Sequence, residues 1–486
     1  MTLQNDSPRT LETTEVPGDA LHQILAAGDR YGRTSDGARR RVLVEFVSAN
    51  PNGPITVAHG RGGAIGDTLA TLLEWTGNDV AREFYVNDAV GSQQMQIFAH
   101  SLFARYRQLL GHTDEVPEDG YPGEYVIDIA QRLVDAEGER YVGLTPHAAA
   151  PIFQALALHG MREQQTETLA AFGIHYDTWF SEKTLHASGA VETVLQTLTT
   201  RGFSFQNKGA LWLRSTQFGD DKDRVLVRAE GSPSYLAGDL AYHADKLARG
   251  FDLLVDVWSA DHHGYVARTK AGLAALGYEP FQLQIALYQP VRLIRNGVEE
   301  KIGKRTENSV TLDELIHEVG KDAARFFFLL QPSDTSQDFD LDLAHKQSKE
   351  NPLHYTQSAH ALCCSVLAKA RELGTPIPHG PAADFDAALL TQPEEIALIK
   401  KLADFPIEVQ QAAVALAPHR IARYVLDLAS LLHQWYDSSA DTPLSQARLA
   451  LISAVRTTLA NALTLLGVSA PSRMTTSEPA AAMAAV

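Results

Sequence analysis

Apolar positions along this chain repeat with two different periods, and the change between them divides it. Val42 to Val47 is an apolar, β-branched run, interrupted only by Glu45, which predicts a buried strand. Pro51, Gly53 and Pro54 break the chain, and from about Val57 the spacing turns helical, with Ile65, Leu69 and Leu72–Leu73 on one face. Asp79 to Val86 reads as a second strand. Phe251 to Trp258 reads as a third, strongly apolar except for two acids, and Phe281 to Ile294 is strand-like. From Asp313 onward no strand pattern is convincing. The remainder predicts helices over Ala323–Leu330, Leu341–Leu373, Glu394–Leu416, Ala422–Ser438 and Ser445–Gly467, a helical bundle.

Between the strands lies other material. Gln93–Leu110, Tyr125–Glu137 and Ala148–Phe172 are helical patterns, separated by a Gly- and Pro-rich loop at Gly111–Gly123. Trp179-Phe-Ser-Glu182 opens a segment with a helix near Ala187–Arg201. Gly209–Arg214 and Asp223–Arg228 form two strands joined by Phe218–Lys222. Residues of about 110–230 therefore read as an insertion between two halves of a sheet. The expected organisation is an extension over 1–40 (polar and mobile to Gly18, then a short helix over Ala20–Tyr31), an α/β domain over 41–340, a helical domain over 341–474 and a disordered tail over 475–486.

The junction after Val47 is strand, tight loop, helix, which in an open α/β sheet is where nucleotides bind. His59 and Arg61 fall in the first turns of the helix, with Gly60, Gly62 and Gly63 for close backbone approach. The helix N-terminus itself suits phosphate. Lys301, Lys304 and Arg305 lie on a loop ahead of Thr311-Leu-Asp-Glu314, a capping box that opens a helix. Three cations there suit a polyphosphate that gains charge in a transition state. Ala260-Asp-His-His-Gly-Tyr265 follows the third strand. Adjacent histidines on one strand point to opposite faces, so the pair favours nucleotide contacts over a metal. The net charge of −17 argues against nonspecific nucleic-acid binding. Cys363 and Cys364 are the only cysteines, too few for a disulfide framework, and no apolar run reaches membrane-span length. A cytoplasmic protein without a membrane partner is expected.

These residues carry a resemblance. Val44-Glu-Phe-Val-Ser-Ala-Asn-Pro51, Glu83-Phe-Tyr-Val-Asn-Asp88, Gly219-Asp-Asp-Lys-Asp-Arg224, Ala260-Asp-His-His-Gly-Tyr265, Lys321-Asp-Ala-Ala-Arg-Phe-Phe-Phe328, Asp338-Phe-Asp-Leu-Asp342 and Leu466-Gly-Val-Ser-Ala-Pro471 occur in order. Together they resemble the class I aminoacyl-tRNA synthetases, most closely bacterial arginyl-tRNA synthetase. The resemblance implies a Rossmann-type catalytic domain with an insertion, followed by an all-α anticodon-binding domain. The implied reaction joins arginine to tRNA(Arg) at the expense of ATP, used with Mg2+. A monomer without a permanently bound cofactor or metal is expected.

By the same resemblance the two class I signatures fall on Thr56-Val-Ala-His59 and Lys301-Ile-Gly-Lys304. Thr56, His59, Lys301 and Lys304 are then the catalytic candidates. Gly60, Asp261, Gly264 and Arg305 are the ATP candidates. Glu45, Asn50, Tyr235, Asp239, His262 and His263 are those for arginine, whose planar guanidinium calls for carboxylates and carbonyls. Tyr235 and Asp239 stand four apart, which a helix would align. Tyr355, Tyr436 and Met474 are candidates for the tRNA face. The pairing of Lys304 with Gly53 fits the family, in which many members carry a lysine ahead of the first signature in place of the second-signature lysine. Thr56, Ala58 and Gly303 depart from the usual signatures, and the family's N-terminal added domain is expected to be missing. The alternatives these departures leave open are a paralogue that activates arginine for another acceptor, or a non-catalytic RNA-binding regulator.

Overall fold

The computed structural model describes residues 17–34, 39–88, 93–300, 309–438 and 445–474. The strands run β1 (Arg41–Glu45), β2 (Asp79–Val86), β3 (Thr178–Ser181), β4 (Ser204–Asn207), β5 (Ala210–Leu213), β6 (Arg224–Val227), β7 (Leu253–Ser259), β8 (Leu283–Tyr288), β9 (Val291–Arg295), β10 (Val298–Glu300) and β11 (Gln337–Asp340). Five of them form one parallel sheet in the order β3-β2-β1-β7-β8. In β1, Val42 and Val44 enter the core beneath α2 (Val57–Trp75), and Leu43 enters the core on the opposite face. An apolar run without alternation is what a parallel strand covered on both sides requires.

The remaining helices of the α/β part are α3 (Gln93–Leu109), α4 (Glu124–Glu137), α5 (Pro146–Ala171), α6 (Lys183–Ala187), α7 (Ala190–Thr200), α8 (Tyr235–Ala248) and α9 (His263–Leu276), and α1 (Pro17–Ala27) precedes them all. The segment expected as one insertion is two. Helices α3 to α5 close around their own core of Phe98, Phe103, Tyr106, Phe153 and Met161. The chain then returns to the main sheet as β3, at its edge, before α6, α7 and the small antiparallel sheet β4-β5-β6. β3 is too short for its pattern to reveal which sheet it joins.

The helical part comprises α10 (Leu312–Val319), α11 (Lys321–Phe328), α12 (Leu341–His345), α13 (Pro352–Glu372), α14 (Pro393–Ala403), α15 (Phe405–Val414), α16 (His419–Ser438) and α17 (Gln446–Leu465). Two expected helices are broken. Asn351 caps α13 by accepting from the Leu353 and His354 amides, with Pro352 in the first turn, and Pro406 opens α15. One strand lies where none was expected. β11 pairs parallel with β9, and Phe339 is its buried apolar residue between two acids.

Residues 17–34, within the expected N-terminal extension, dock on the bundle. Tyr31 Oη donates to the Leu402 carbonyl at 2.7 Å, and Asn461 Nδ2 donates to the Gly28 and Tyr31 carbonyls at 3.0 and 2.9 Å. One core runs without a break from the sheet through α2 and α11 into α13, α16 and α17. At its centre Arg325, fully buried, donates to Asp67 of α2 at 2.7 Å, to the Phe172 carbonyl at 3.2 Å and to the Leu466 carbonyl at 3.0 Å. The expectations for residues 1–16 and 475–486 lie outside the described residues.

Candidate active site

In a sheet ordered 3-2-1-7-8 the chain reverses direction of growth between β1 and β7, and the helices there leave opposite faces. That opens a crevice at the C-terminal ends of the strands. A cavity of about 610 Å³ occupies it, lined by Glu45 and the loop after β1, by Tyr85 and Asn87 after β2, by Trp258 and Ser259 of β7, and by Tyr288 of β8. A side cavity of about 280 Å³, reaching Glu182, Arg228 and Ser234, shares Tyr85, Asn87, Tyr235 and Asp239 with it.

The loop leaving β1 is strained and heavily held. Val47 and Ser48 have φ of 68° and 42°, the left-handed region that a β-branched residue rarely enters. Ser48 Oγ donates to Glu45 at 2.8 Å and accepts the Tyr85 amide at 3.1 Å. Farther along, Gln165 of α5 donates to the Asn50 and Gly53 carbonyls at 3.0 and 2.8 Å. Asn50 Oδ1 accepts from Asn87 at 3.2 Å, and Asn50 lines the cavity.

Thr56 is the N-cap residue of α2. Its amide donates to His59 Nδ1 at 3.2 Å, and its hydroxyl stands 3.1 Å from the same nitrogen. An Nδ1 that accepts leaves the proton on Nε2. Burial lowers the His59 pKa to about 4, so the ring is neutral at pH 7 and offers one N–H. His59 lines the cavity. The other residues of that turn serve packing instead. A Cβ on Gly60 would stand 2.7 Å from Leu312 Cδ1, so Gly60 permits close contact with α10 and does not line the cavity. Arg61 is fully buried and donates to the Gln289, Thr335 and Pro332 carbonyls at 2.7 to 2.9 Å. It ties loops together and is no phosphate ligand.

Tyr235 and Asp239 lie on α8 one turn apart and both line the cavity, the Tyr235 ring largely exposed at its mouth. Among the described residues the Asp239 carboxylate has no hydrogen bond or ion pair. Burial, opposed by His243, together with the charges of Glu45, Glu182 and Asp256, raises its pKa to about 6. Glu182 lines the side cavity beside it. Behind them lies a buried polar network. Lys246 Nζ bonds the Glu45 carboxylate and, at 3.0 Å, Asp256. Asp256 also meets His243 Nε2 at 2.7 Å, and His243 Nδ1 lies 2.6 Å from the Asp239 carbonyl. Sequence reasoning missed Glu182, His243, Lys246 and Asp256. The signal was present on α8, where Asp239, His243 and Lys246 form a polar stripe at helical spacing on a face that must be buried.

Asp261 and His262 line the cavity. They form a 3-10 turn, Ala260–His262, after β7, and His263 begins α9, so the two histidines do not alternate along a strand. His263 Nδ1 lies 3.1 Å from the Ala260 carbonyl, and neither it nor Gly264 lines the cavity. Among the described residues no three His, Cys, Asp or Glu side chains converge as a metal site. Lys301, Lys304 and Arg305 lie outside the described residues. The chain just beyond them is pinned to the first helix turn, with Val57 N–H on the Val310 carbonyl at 3.1 Å and Leu312 N–H on that of Ile55 at 2.8 Å. Of the three tRNA candidates, Tyr355 packs against the core and against the His433 ring, centroids 4.8 Å apart. Tyr436 is exposed and Met474 half-buried at the end of the described chain.

Comparison with known proteins finds two family models on the chain. Residues 20–108 match the family model for the catalytic domain of class I tRNA synthetases (R), and residues 356–474 match that for the DALR anticodon binding domain. An arginine–tRNA ligase of Caldanaerobacter subterraneus subsp. tengcongensis is 48% identical over 464 residues, 94% of this chain and 81% of that protein. One of Desulforudis audaxviator is 49% identical over 458 residues, 93% of this chain and 81% of that protein. The structure of Thermus thermophilus arginyl-tRNA synthetase superposes with a TM-score of 0.74 at 23% identity, covering 94% of this chain and 86% of that one, and so shares the fold.

Proposed function

This chain belongs to the family of arginine–tRNA ligases, and on that premise we propose that the crevice between β1 and β7 is where it activates arginine with ATP. The enzyme is an aminoacyl-tRNA ligase of class I fold. In the first step the arginine carboxylate attacks the α-phosphate of ATP in line, and pyrophosphate leaves with the bond it carried. The adenylate then passes its arginyl group to the 3′ end of tRNA(Arg) and releases AMP. The observation that carries this assignment is a single cavity holding both a neutral His59 and an Asp239 carboxylate that takes no bond from the described residues.

The roles follow from the chemistry of the groups. Asp239, with Glu182 beside it, receives the guanidinium, and Tyr235 covers its plane. Glu45 and Asn50 take the polar groups nearer the strand ends. His59, neutral with its proton on Nε2, donates a hydrogen bond to an oxygen of the phosphate chain and adds no charge. The N-terminal end of α2 adds its dipole. Asp261 and His262 border the nucleotide. Mg2+ would be carried in with ATP and would neutralise charge on its phosphates. Lys301, Lys304 and Arg305 supply the cations for the departing pyrophosphate. Tyr436 and Met474 remain the tRNA-facing candidates. Free Cys363 and Cys364 support a cytoplasmic location.

The test is aminoacylation of purified total tRNA with labelled arginine. ATP-dependent charging is expected; arginine binding without charging would redirect the assignment to another acceptor. Lys304→Ala should reduce kcat by about a hundredfold or more while leaving the KM for arginine within a few-fold. An unchanged kcat removes Lys304 from the mechanism.

A further inference from the structure

We propose that Lys246 is a positioning residue for amino-acid binding: its ammonium, beneath the cavity floor, bridges Glu45 and Asp256 and keeps the Glu45 carboxylate ionised and aimed into the cavity. The inference rests on the reading that Glu45 contacts a cationic group of the amino acid. Lys246 is completely buried on α8, and so is Asp256 on β7; their Nζ–Oδ1 distance is 3.0 Å. Glu45 and Asp256 are register partners at the ends of β1 and β7, so two carboxylates stand side by side where the sheet opens. Two like charges this close do not both remain ionised unless a cation lies between them. Lys246 is that cation, and it has no route to substrate except through the carboxylates.

The surroundings of Glu45 make the dependence strong. From α8 it faces Lys246, His243, Asp239 and Tyr242, from β7 Asp256, from β2 Tyr85, and from the segment before β3 Tyr176. Lys246 and His243 are the cationic groups among these. Burial raises the Glu45 pKa against the pull of Lys246, and Asp256 adds to the rise. His243 is already engaged by Asp256 at 2.7 Å, so it cannot replace Lys246. Without the ammonium, burial and Asp256 raise the Glu45 pKa further, so that more of it presents a neutral acid to a cationic ligand.

The experiment measures the KM for arginine from pH 7 to 8.5 in the full-length enzyme and in Lys246→Met, Lys246→Arg, Glu45→Gln and the Lys246→Met/Glu45→Gln double variant. Each is first checked for cooperative thermal unfolding. The unmodified enzyme should be flat over this window. Lys246→Met should show a KM raised about tenfold or more at pH 7 that falls as the pH rises, by up to about tenfold per pH unit. Lys246→Arg should restore the flat profile, and the double variant should lose the pH dependence. A KM raised equally at every pH in Lys246→Met, or an Arg variant that behaves like Met, overturns the proposal, since a packing defect alone gives that result. If Lys246→Met does not fold, Lys246→Arg and Glu45→Gln still decide. A sloping profile in Lys246→Arg with normal melting counts against it. If Glu45→Gln leaves KM unchanged, the underlying reading of Glu45 fails instead.

Discussion

At the scale of single residues, the crevice leaves some groups without a partner among the described residues and fixes others completely. Asp239 is the clearest case of the first kind. Its pKa of about 6, against an ordinary carboxylate near 4, means that the folded protein binds its proton more tightly than the unfolded chain does. Folding stability from this group therefore declines as pH rises from about 4 to 6, and a bound guanidinium reverses the loss. Arginine affinity should fall as pH drops below about 6, approaching tenfold per unit, and arginine should raise the melting temperature more at pH 7.5 than at pH 5. Asp239→Asn should raise the KM for arginine by about a hundredfold or more and abolish that pH dependence. An Asn variant with an unaltered KM removes Asp239 from the guanidinium site. His59 is fixed: the Thr56 amide selects its tautomer. His59→Ala should reduce kcat by about a hundredfold with a smaller change in the KM for arginine. A defect confined to KM would contradict a role in the transition state.

At the scale of elements, much of what looked like nucleotide chemistry in the sequence is packing. Gly60, Gly62 and Gly63 of α2 face Leu312, the Tyr288 ring and Ile174, each closer than a methyl group would allow. The spacing of these glycines was legible, but their partners come from three different places in the chain. The junction at Gly467 has a similar origin. Its φ is 68°, and an added Cβ would lie 2.3 Å from the Arg325 guanidinium. Gly467→Ala should therefore cost about 3 kcal/mol or more, through backbone strain and displacement of a buried charge. Gly374→Ala, with φ of 71° but nothing within 4 Å, should cost only about 1 kcal/mol. Equal losses in the two variants, measured by denaturant unfolding, would show that contact with Arg325 is unimportant. The sequence also separated two motifs, Lys321–Phe328 and Leu466–Pro471, that form one joint: Asp322 accepts the Ser469 amide at 3.1 Å while Arg325 holds the Leu466 carbonyl.

At the scale of the whole molecule, the α/β and helical parts share one core, and Arg325 with Asp67 ties α2 to α11 and the end of α17. The helix that carries His59 at its N-terminus is thus braced by the bundle. Calorimetry should show the sheet and the bundle unfolding in a single transition, and two well-separated transitions assigned to them would refute the shared core. Helices α3 to α5, with their own core, are the part able to open independently. What the sequence determined by itself was local: the periods that set β1, β2, β7 and most helices, the capping box at Thr311, and the motifs that marked His59, Glu45 and Asp239. Each depends on neighbours a few residues away. What only the tertiary structure decided was long-range. β3 joins the main sheet and β11 pairs with β9 because backbone groups distant in the chain satisfy one another. Arg61 is structural because three carbonyls of distant loops converge on it. Lys246 belongs to the site because folding brings it across 201 residues to Glu45, inside a region where a buried charge must find its opposite.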